Sequence, residues 1–232
     1  LMDSIITLRC IFLSEAVSLP QPEPFESFVE EFPSSHYRLQ ALSDLGLAYT
    51  NLGERDKALR YYDMVVQAEP QSAQSKGALQ GIREIYVEKG DADAYFDYAE
   101  RMGLEGNVSQ MTRDSLSYAA AQKLYLDNRI AEATTSLRSY LNNYPKGYYR
   151  NDALFFLSDC YVREGKDEQA IATLTELAEQ GTTQYSERVL DKLSRMCYEA
   201  ERYEKAAKAY RALYDVTTTA SVKSTAASGY VA

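Results

Sequence analysis

The chain has 232 residues, 45% of them hydrophobic, with twenty tyrosines, no tryptophan and a formal net charge of −9. A surface that acidic repels phosphate backbones, which argues against nucleic acid as a partner. His36 is the only histidine, so histidine-based metal sites and histidine-dependent hydrolytic triads are not expected.

In chain order, residues 1–20 predict a separate N-terminal helical segment, with Ile5, Leu8 and Phe12 on one face. The apolar run from Leu1 to Leu13 is too short to span a bilayer and carries Arg9 in its middle. Nor does a small-x-small cleavage site follow it, as a signal peptide would require. Residues 21–38 form a partial unit, in which Phe25 and Phe28 mark a second helix ahead of Pro33.

Residues 39–72 make one full unit of 34. Leu42, Leu45, Gly46 and Tyr49 fall at unit positions 4, 7, 8 and 11, on one face of a first helix. Gly53 at position 15 ends that helix, because a left-handed cap costs glycine little. Ala58, Tyr62 and Val65 at positions 20, 24 and 27 line a second helix, which Pro70 closes. The second unit, 76–110, is the weakest: Ile82, Tyr86 and Gly90 fit, but its second helix is one residue out of register. Local distortion is expected in its loop from Gly103 to Gln110. The third unit, 114–147, runs through Ala120, Ala121, Leu124, Asn128, Ala133, Leu137, Tyr140 and Pro145. The fourth, 151–184, runs through Leu157, Ser158, Tyr161, Gly165, Ala170, Leu174 and Leu177. The fifth, 187–219, has Leu193, Ser194, Cys197, Ala206, Tyr210 and Leu213. Residues 220–232 read as the first helix of a sixth unit, and the interrupted units at both ends point to a longer protein.

The breaks Gly53, Gly90, Asn128, Gly165 and Glu201 are 37, 38, 37 and 36 residues apart. The alanines Ala58, Ala94, Ala133, Ala170 and Ala206 follow at spacings of 36, 39, 37 and 36. A period in this range means a stacked array of supersecondary units. All six prolines lie outside the predicted helix interiors. The expected fold is therefore all-α, an α-solenoid of helix–turn–helix units over residues 21–232. Cys160 and Cys197 fall on packed faces of neighbouring units as apolar filler, and with Cys10 they show no CxxC spacing.

The small residues at positions 8 and 20 and the large ones at 11, 24 and 27 resemble the tetratricopeptide-repeat family, which implies a right-handed solenoid of about five units. Residues 32–53 also align without a gap to 144–165, with eight of 22 positions identical. This aromatic–proline turn, followed by Tyr, Ala-Leu and Leu, is similar to tetratricopeptide arrays of bacterial envelope proteins. Examples are the outer-membrane assembly lipoprotein and the Tol–Pal accessory protein. The resemblance implies a periplasmic or outer-membrane-associated setting, with a cytoplasmic one as the alternative.

No phosphate loop, dinucleotide fingerprint, nucleophile elbow or HExxH occurs, so neither catalysis nor a cofactor is expected. Asp91, Asp93 and Asp97 have a calcium-loop look, but Phe96 and Met102 occupy the obligatory glycine and glutamate positions. An acidic helix start explains them better. Asn107-Val108-Ser109 matches a glycosylation sequon that chance alone produces. In the family, positions 2, 5, 9, 12 and 13 of each first helix face a groove. By that resemblance the candidates are Gln80, Glu84 and Glu88, then Tyr118, Gln122 and Tyr125. Phe155, Asp159 and Arg163 follow, and then Asp191, Arg195 and Tyr198. Aromatic and arginine side chains among acids suit the anchoring of a protein or peptide segment. The competing reading is that Tyr125, Phe155 and Tyr198 pack between helices. The expected function is a protein-interaction scaffold. Alternatives are a glycan or small-ligand groove, or the targeting arm of an enzyme whose catalytic domain lies elsewhere.

Overall fold

The computed structural model describes residues 22–104 and 108–231. The expected helix over residues 1–20, Cys10 and the asparagine of the sequon lie outside the described residues. Among the described residues there are twelve helices and no strand. The fold class is an all-α helical-repeat solenoid. Where the periodicity predicts one array over 21–232, the chain divides into two compact units that part between Glu88 and Lys89.

The first unit holds α1 (Pro22–Glu31), α2 (Arg38–Asn51), α3 (Arg55–Ala68) and nearly all of α4 (Ala73–Lys89). Pro22 and Pro24 lie inside α1 rather than before it. They occupy its first turn, where an amide has no intrahelical partner to lose. Phe25, Phe28, Leu42, Leu45, Tyr49, Tyr62, Val65, Ile82 and Ile85 are buried at the three- and four-residue spacings of single helix faces. Glu26 of α1 accepts hydrogen bonds from the Tyr49 and Tyr61 hydroxyls at 2.6 and 2.8 Å. Those two rings stack within 2° of parallel, which ties α1 to the helix pair that follows.

The second unit continues with α5 (Ala92–Arg101), α6 (Gln110–Leu126), α7 (Ile130–Asn143) and α8 (Arg150–Arg163). It ends with α9 (Asp167–Glu179), α10 (Ser186–Glu199), α11 (Tyr203–Val216) and α12 (Ala220–Val231). One buried cluster joins Ala121, Leu124, Leu137, Tyr140, Leu157 and Cys160; another joins Leu154, Leu174, Leu177, Leu193, Cys197 and Leu213. Cys160 and Cys197 are free, buried thiols. Burial pushes the Cys160 thiol up to about 11, leaving it inert.

All five predicted breaks have left-handed backbone: φ is 79° at Gly53, 76° at Gly90, 60° at Asn128, 69° at Gly165 and 58° at Glu201. At four of them the next amide reaches five residues back, Glu54 to Tyr49, Arg129 to Leu124, Lys166 to Tyr161 and Arg202 to Cys197, at 2.8–2.9 Å. This cap satisfies carbonyls that the helix end would leave bare, and it turns the chain into the second helix.

The second repeat departs from the pattern in its second helix. Ala94 is only half-buried, while Phe96 and Ala99 fill the interface. Counted from the break, Ala99 takes the place of Tyr62, nine residues after Gly90 as Tyr62 is nine after Gly53 (99−90 = 62−53). The helix also ends early, spanning 10 residues against 14 in α3, α7 and α11. Gly103, at φ 65°, closes it with a Leu104 amide bond to the Ala99 carbonyl. The loop over residues 103–110, in which distortion is expected, follows this shortened helix, and residues 105–107 of it lie outside the described residues. Asp91 acts as the N-cap of α5 through Ala94, at 3.0 Å.

Candidate functional site

In the second unit, α6, α8 and α10 bring together residues that lie three positions, about one helical turn, short of a full repeat. Tyr125 and Asp159 are 34 positions apart, and Asp159 and Lys192 are 33. The Tyr125 hydroxyl donates to Asp159 Oδ2 at 2.8 Å, and Arg163 Nε donates to the same oxygen at 2.7 Å. Lys192 Nζ reaches Asp159 Oδ1 at 3.1 Å. Arg163 also donates to the Tyr125 oxygen at 3.1 Å and to Asn128 Oδ1 at 3.2 Å. Its guanidinium lies 5.0 Å over the Tyr125 ring. Burial pushes the Asp159 carboxyl up, but the hydrogen bonds from Tyr125 and Lys192 and the neighbouring cations outweigh it. The group is held below its ordinary value. Burial and the bond to Asp159 raise Tyr125 in turn.

A second series involves position 5 and the residue that opens the next first helix. Tyr118 stacks on Tyr149 at 4.5 Å between centroids, within 1° of parallel, and Phe155 stacks on Tyr185 at 4.2 Å. The Tyr185 hydroxyl donates to Asp152. Tyr118 also packs against Tyr140 and is only 6% exposed. As a groove anchor whose loss would spare stability it therefore does not serve; its ring is part of the inter-repeat core. Phe155 is half-buried and carries Arg188 at 4.8 Å over its ring. Tyr125 likewise packs on Phe156, at 4.7 Å. Tyr198, by contrast, is 48% exposed. Beside it Arg195 is paired with Asp191, and Gln122 is half-buried on α6.

In the first unit, Gln80, Glu84 and Glu88 are all exposed on α4. Gln80 donates to Glu84 at 2.9 Å, and Glu88 pairs with Arg55 at 2.6 Å. They form a solvated polar face within that unit.

Lys192, Arg188, Asn128 and the stacking tyrosines Tyr149 and Tyr185 were not among the expected site residues. Arg188 was readable, at position 2 of the fifth unit, whereas Lys192 is at position 6, outside the groove positions. The tyrosines open helices from turns whose geometry the spacing does not specify.

A cleft of about 820 Å³ lies where α6 begins, lined by Met111, Asp114, Tyr144, Tyr148 and Tyr149. Its carboxylate is committed to the turn: Asp114 accepts from the Tyr140 hydroxyl at 2.6 Å and the Tyr148 amide at 2.8 Å. Among the described residues no group of three or more His, Cys, Asp or Glu side chains could hold a metal ion. No helix there is long and apolar enough to cross a membrane.

Models of the tetratricopeptide repeat match residues 41–74 and 152–180. Those two stretches are tetratricopeptide repeats. Its fold is similar to that in the structure of Naa15/Naa10 bound to HypK-THB, at 18% identity and a TM-score of 0.52. That match covers 90% of this chain and 30% of the other, so the chain spans under a third of that protein's length. YrrB, described as a tetratricopeptide-repeat protein with an unusual peptide-binding site, aligns over 90% of this chain and all of its own at 19% identity and a TM-score of 0.44. A tetratricopeptide repeat protein from Parabacteroides merdae covers 99% of each chain at 12% identity and a TM-score of 0.40. No curated protein matches the chain in sequence.

Proposed function

We propose that this chain is a non-enzymatic scaffold that holds a segment of a partner protein along the first-helix stripe of its second unit. Tetratricopeptide arrays present extended surfaces made of successive first helices, which suits the capture of a peptide segment. The observation that carries the reading is the division of labour along α6, α8 and α10. Tyr118 and Phe155 are engaged in stacking, whereas Arg163, Arg195 and Tyr198 keep much of their surface in solvent. An aromatic and arginine-rich strip of that kind is the composition of binding hot spots.

Site-specific photo-cross-linking tests it. With the photoreactive residue at Tyr198 or Gln122, a partner is captured; with it at the exposed Arg138 on α7, none is. Capture through Arg138 alone would move the binding face to the second helices and overturn the reading. The bacterial-envelope setting rests on the turn shared by residues 32–38 and 144–150 and its likeness to envelope arrays. Osmotic-shock fractionation of the source cell checks it, and recovery with cytosolic markers would reject it.

A further inference from the structure

We propose that the cleft at the start of α6 binds a neutral, equatorially linked oligosaccharide, one sugar ring of which stacks on Tyr148. The site is formed with the turn between α7 and α8, apart from the Tyr198 stripe, and does not depend on the scaffold reading. Its platform is built before any ligand arrives. The Gly147 amide donates to the Tyr144 carbonyl at 2.9 Å and the Tyr148 amide to Asp114 at 2.8 Å. The Tyr149 amide donates to the Tyr140 hydroxyl at 3.1 Å and the Arg150 amide to the Gly147 carbonyl at 3.2 Å. A Cβ at Gly147 would lie 2.5–2.9 Å from the Tyr140 hydroxyl, Asp114 and Tyr144, so glycine is what lets the turn close this tightly. The Tyr149 ring is stacked on Tyr118 and meets Tyr148 edge-on, at 5.0 Å and 79°. Tyr148 is thereby held 86% exposed, and Met111 of the same cleft is 80% exposed. Large side chains presented from a fixed turn, in a cleft of about 820 Å³, have the character of a ligand site.

The polar groups of the cleft decide the class of ligand. Asp114 has both carboxylate oxygens engaged, one by the Tyr140 hydroxyl and one by the Tyr148 amide, so it is not available to a cation. The four consecutive amides from Gly147 to Arg150 are donated internally, which denies an extended peptide a row of backbone donors. The Gln110 and Lys146 side chains and the Tyr148 hydroxyl, by contrast, are exposed and make no hydrogen bond among the described residues. What fits is a ligand with an apolar face for the ring and many hydroxyls around its edge. A pyranose with equatorial substituents has that form: its axial C–H bonds make the face, and its hydroxyls form the rim. A β-1,4-linked hexose chain repeats the flat face from ring to ring, whereas an axial linkage breaks it. The net charge of −9 disfavours a polyanionic saccharide, which leaves the neutral ones.

Isothermal titration calorimetry with the full chain tests this, run at two temperatures so that a small enthalpy at one does not hide binding. Cellohexaose and chitohexaose are the probes, with maltohexaose as the axially linked control and a decaproline peptide as the competitor class. At least one of the two β-linked sugars is expected to bind, about tenfold or more tighter than maltohexaose and with an affinity that salt does not change. Y148A should weaken it by about tenfold with circular dichroism unchanged, because the backbone amide that serves Asp114 is still present. Y148F should bind within about twofold of the parent, since the ring face and not the hydroxyl carries the contact. Y198A, on the first-helix stripe, should leave sugar binding unchanged. Failure of both β-linked sugars to bind, equal binding of maltohexaose, or indifference to Y148A would overturn the proposal. Binding of decaproline alone, lost in Y148A, would give the cleft to a proline-rich peptide and overturn it as well.

Discussion

Tyr62 shows how closely single residues determine the packing of these helices. Its ring lies against Gly46 on α2 and Gly81 on α4, and a Cβ at either glycine would fall inside the contact distance of the ring. The ring is held from two sides, so it has nowhere to retreat. An alanine gains about 1 kcal/mol of helix propensity, but overpacking a filled site costs about 1–3 kcal/mol. We expect Gly46→Ala and Gly81→Ala each to destabilise by about 1 kcal/mol on balance, read as a lower urea midpoint. In a Tyr62→Leu background the same substitutions become neutral or stabilising. Equal losses in both backgrounds would rule out the ring contact as the cause.

Backbone strain at the breaks is a separate residue-scale effect. Glu201 adopts φ 58°, where four repeats use asparagine or glycine. A left-handed L-residue costs roughly 1–2 kcal/mol, while glycine costs about 0.4–1 kcal/mol more unfolded-state entropy. Glu201→Gly is therefore expected to stabilise by about 0.5–1 kcal/mol. Gly165→Ala should destabilise by a similar amount, since no side or main chain lies near its Cβ position and only the backbone term operates. Chemical denaturation of the two variants checks both signs. A destabilised Glu201→Gly would mean that the glutamate side chain outweighs its strain.

At the scale of elements, the first helices are tied together through Asp159 of α8. Its carboxyl is depressed in the fold, so the stabilisation it brings is complete above the unfolded value of about 3.9 and is lost as pH falls through the folded one. Asp159→Asn leaves Arg163 and Lys192 without their carboxylate. The wild type should melt higher than the variant at neutral pH, with the gap narrowing as pH falls below the unfolded carboxyl value. A gap that persisted in acid would assign the effect to packing rather than charge. This network was half legible: Tyr125, Asp159 and Arg163 share a stripe by spacing, whereas Lys192 stands at a unit position outside it. That Tyr118 fills the core while Tyr198 faces solvent was not legible. It depends on Tyr149, which rises from a turn and covers one of them. In α5 the alanine period pointed to Ala94, but burial follows Ala99, which stands as far from its break as Tyr62 does from Gly53.

For the whole molecule, the period specified the fold class and the order of helix pairs, since each pair buries an apolar face only against its neighbours. It did not specify the division between Glu88 and Lys89, because the spacing runs through that point without interruption. The residues from Lys89 onward carry their own buried clusters, built on α6 to α11 and closed by Ala226 of α12. Stability in such arrays is close to a sum of repeat and nearest-neighbour contributions, so a unit with complete internal neighbours does not need the rest of the chain. A fragment spanning residues 89–232 is therefore expected to fold alone, with native-like helical circular dichroism and a cooperative urea transition. Its slope should be shallower than the full chain's, in proportion to the smaller surface exposed on unfolding. A fragment that is helical but melts without cooperativity would show that its cores depend on residues before Lys89, and the chain would then have to be treated as one cooperative array.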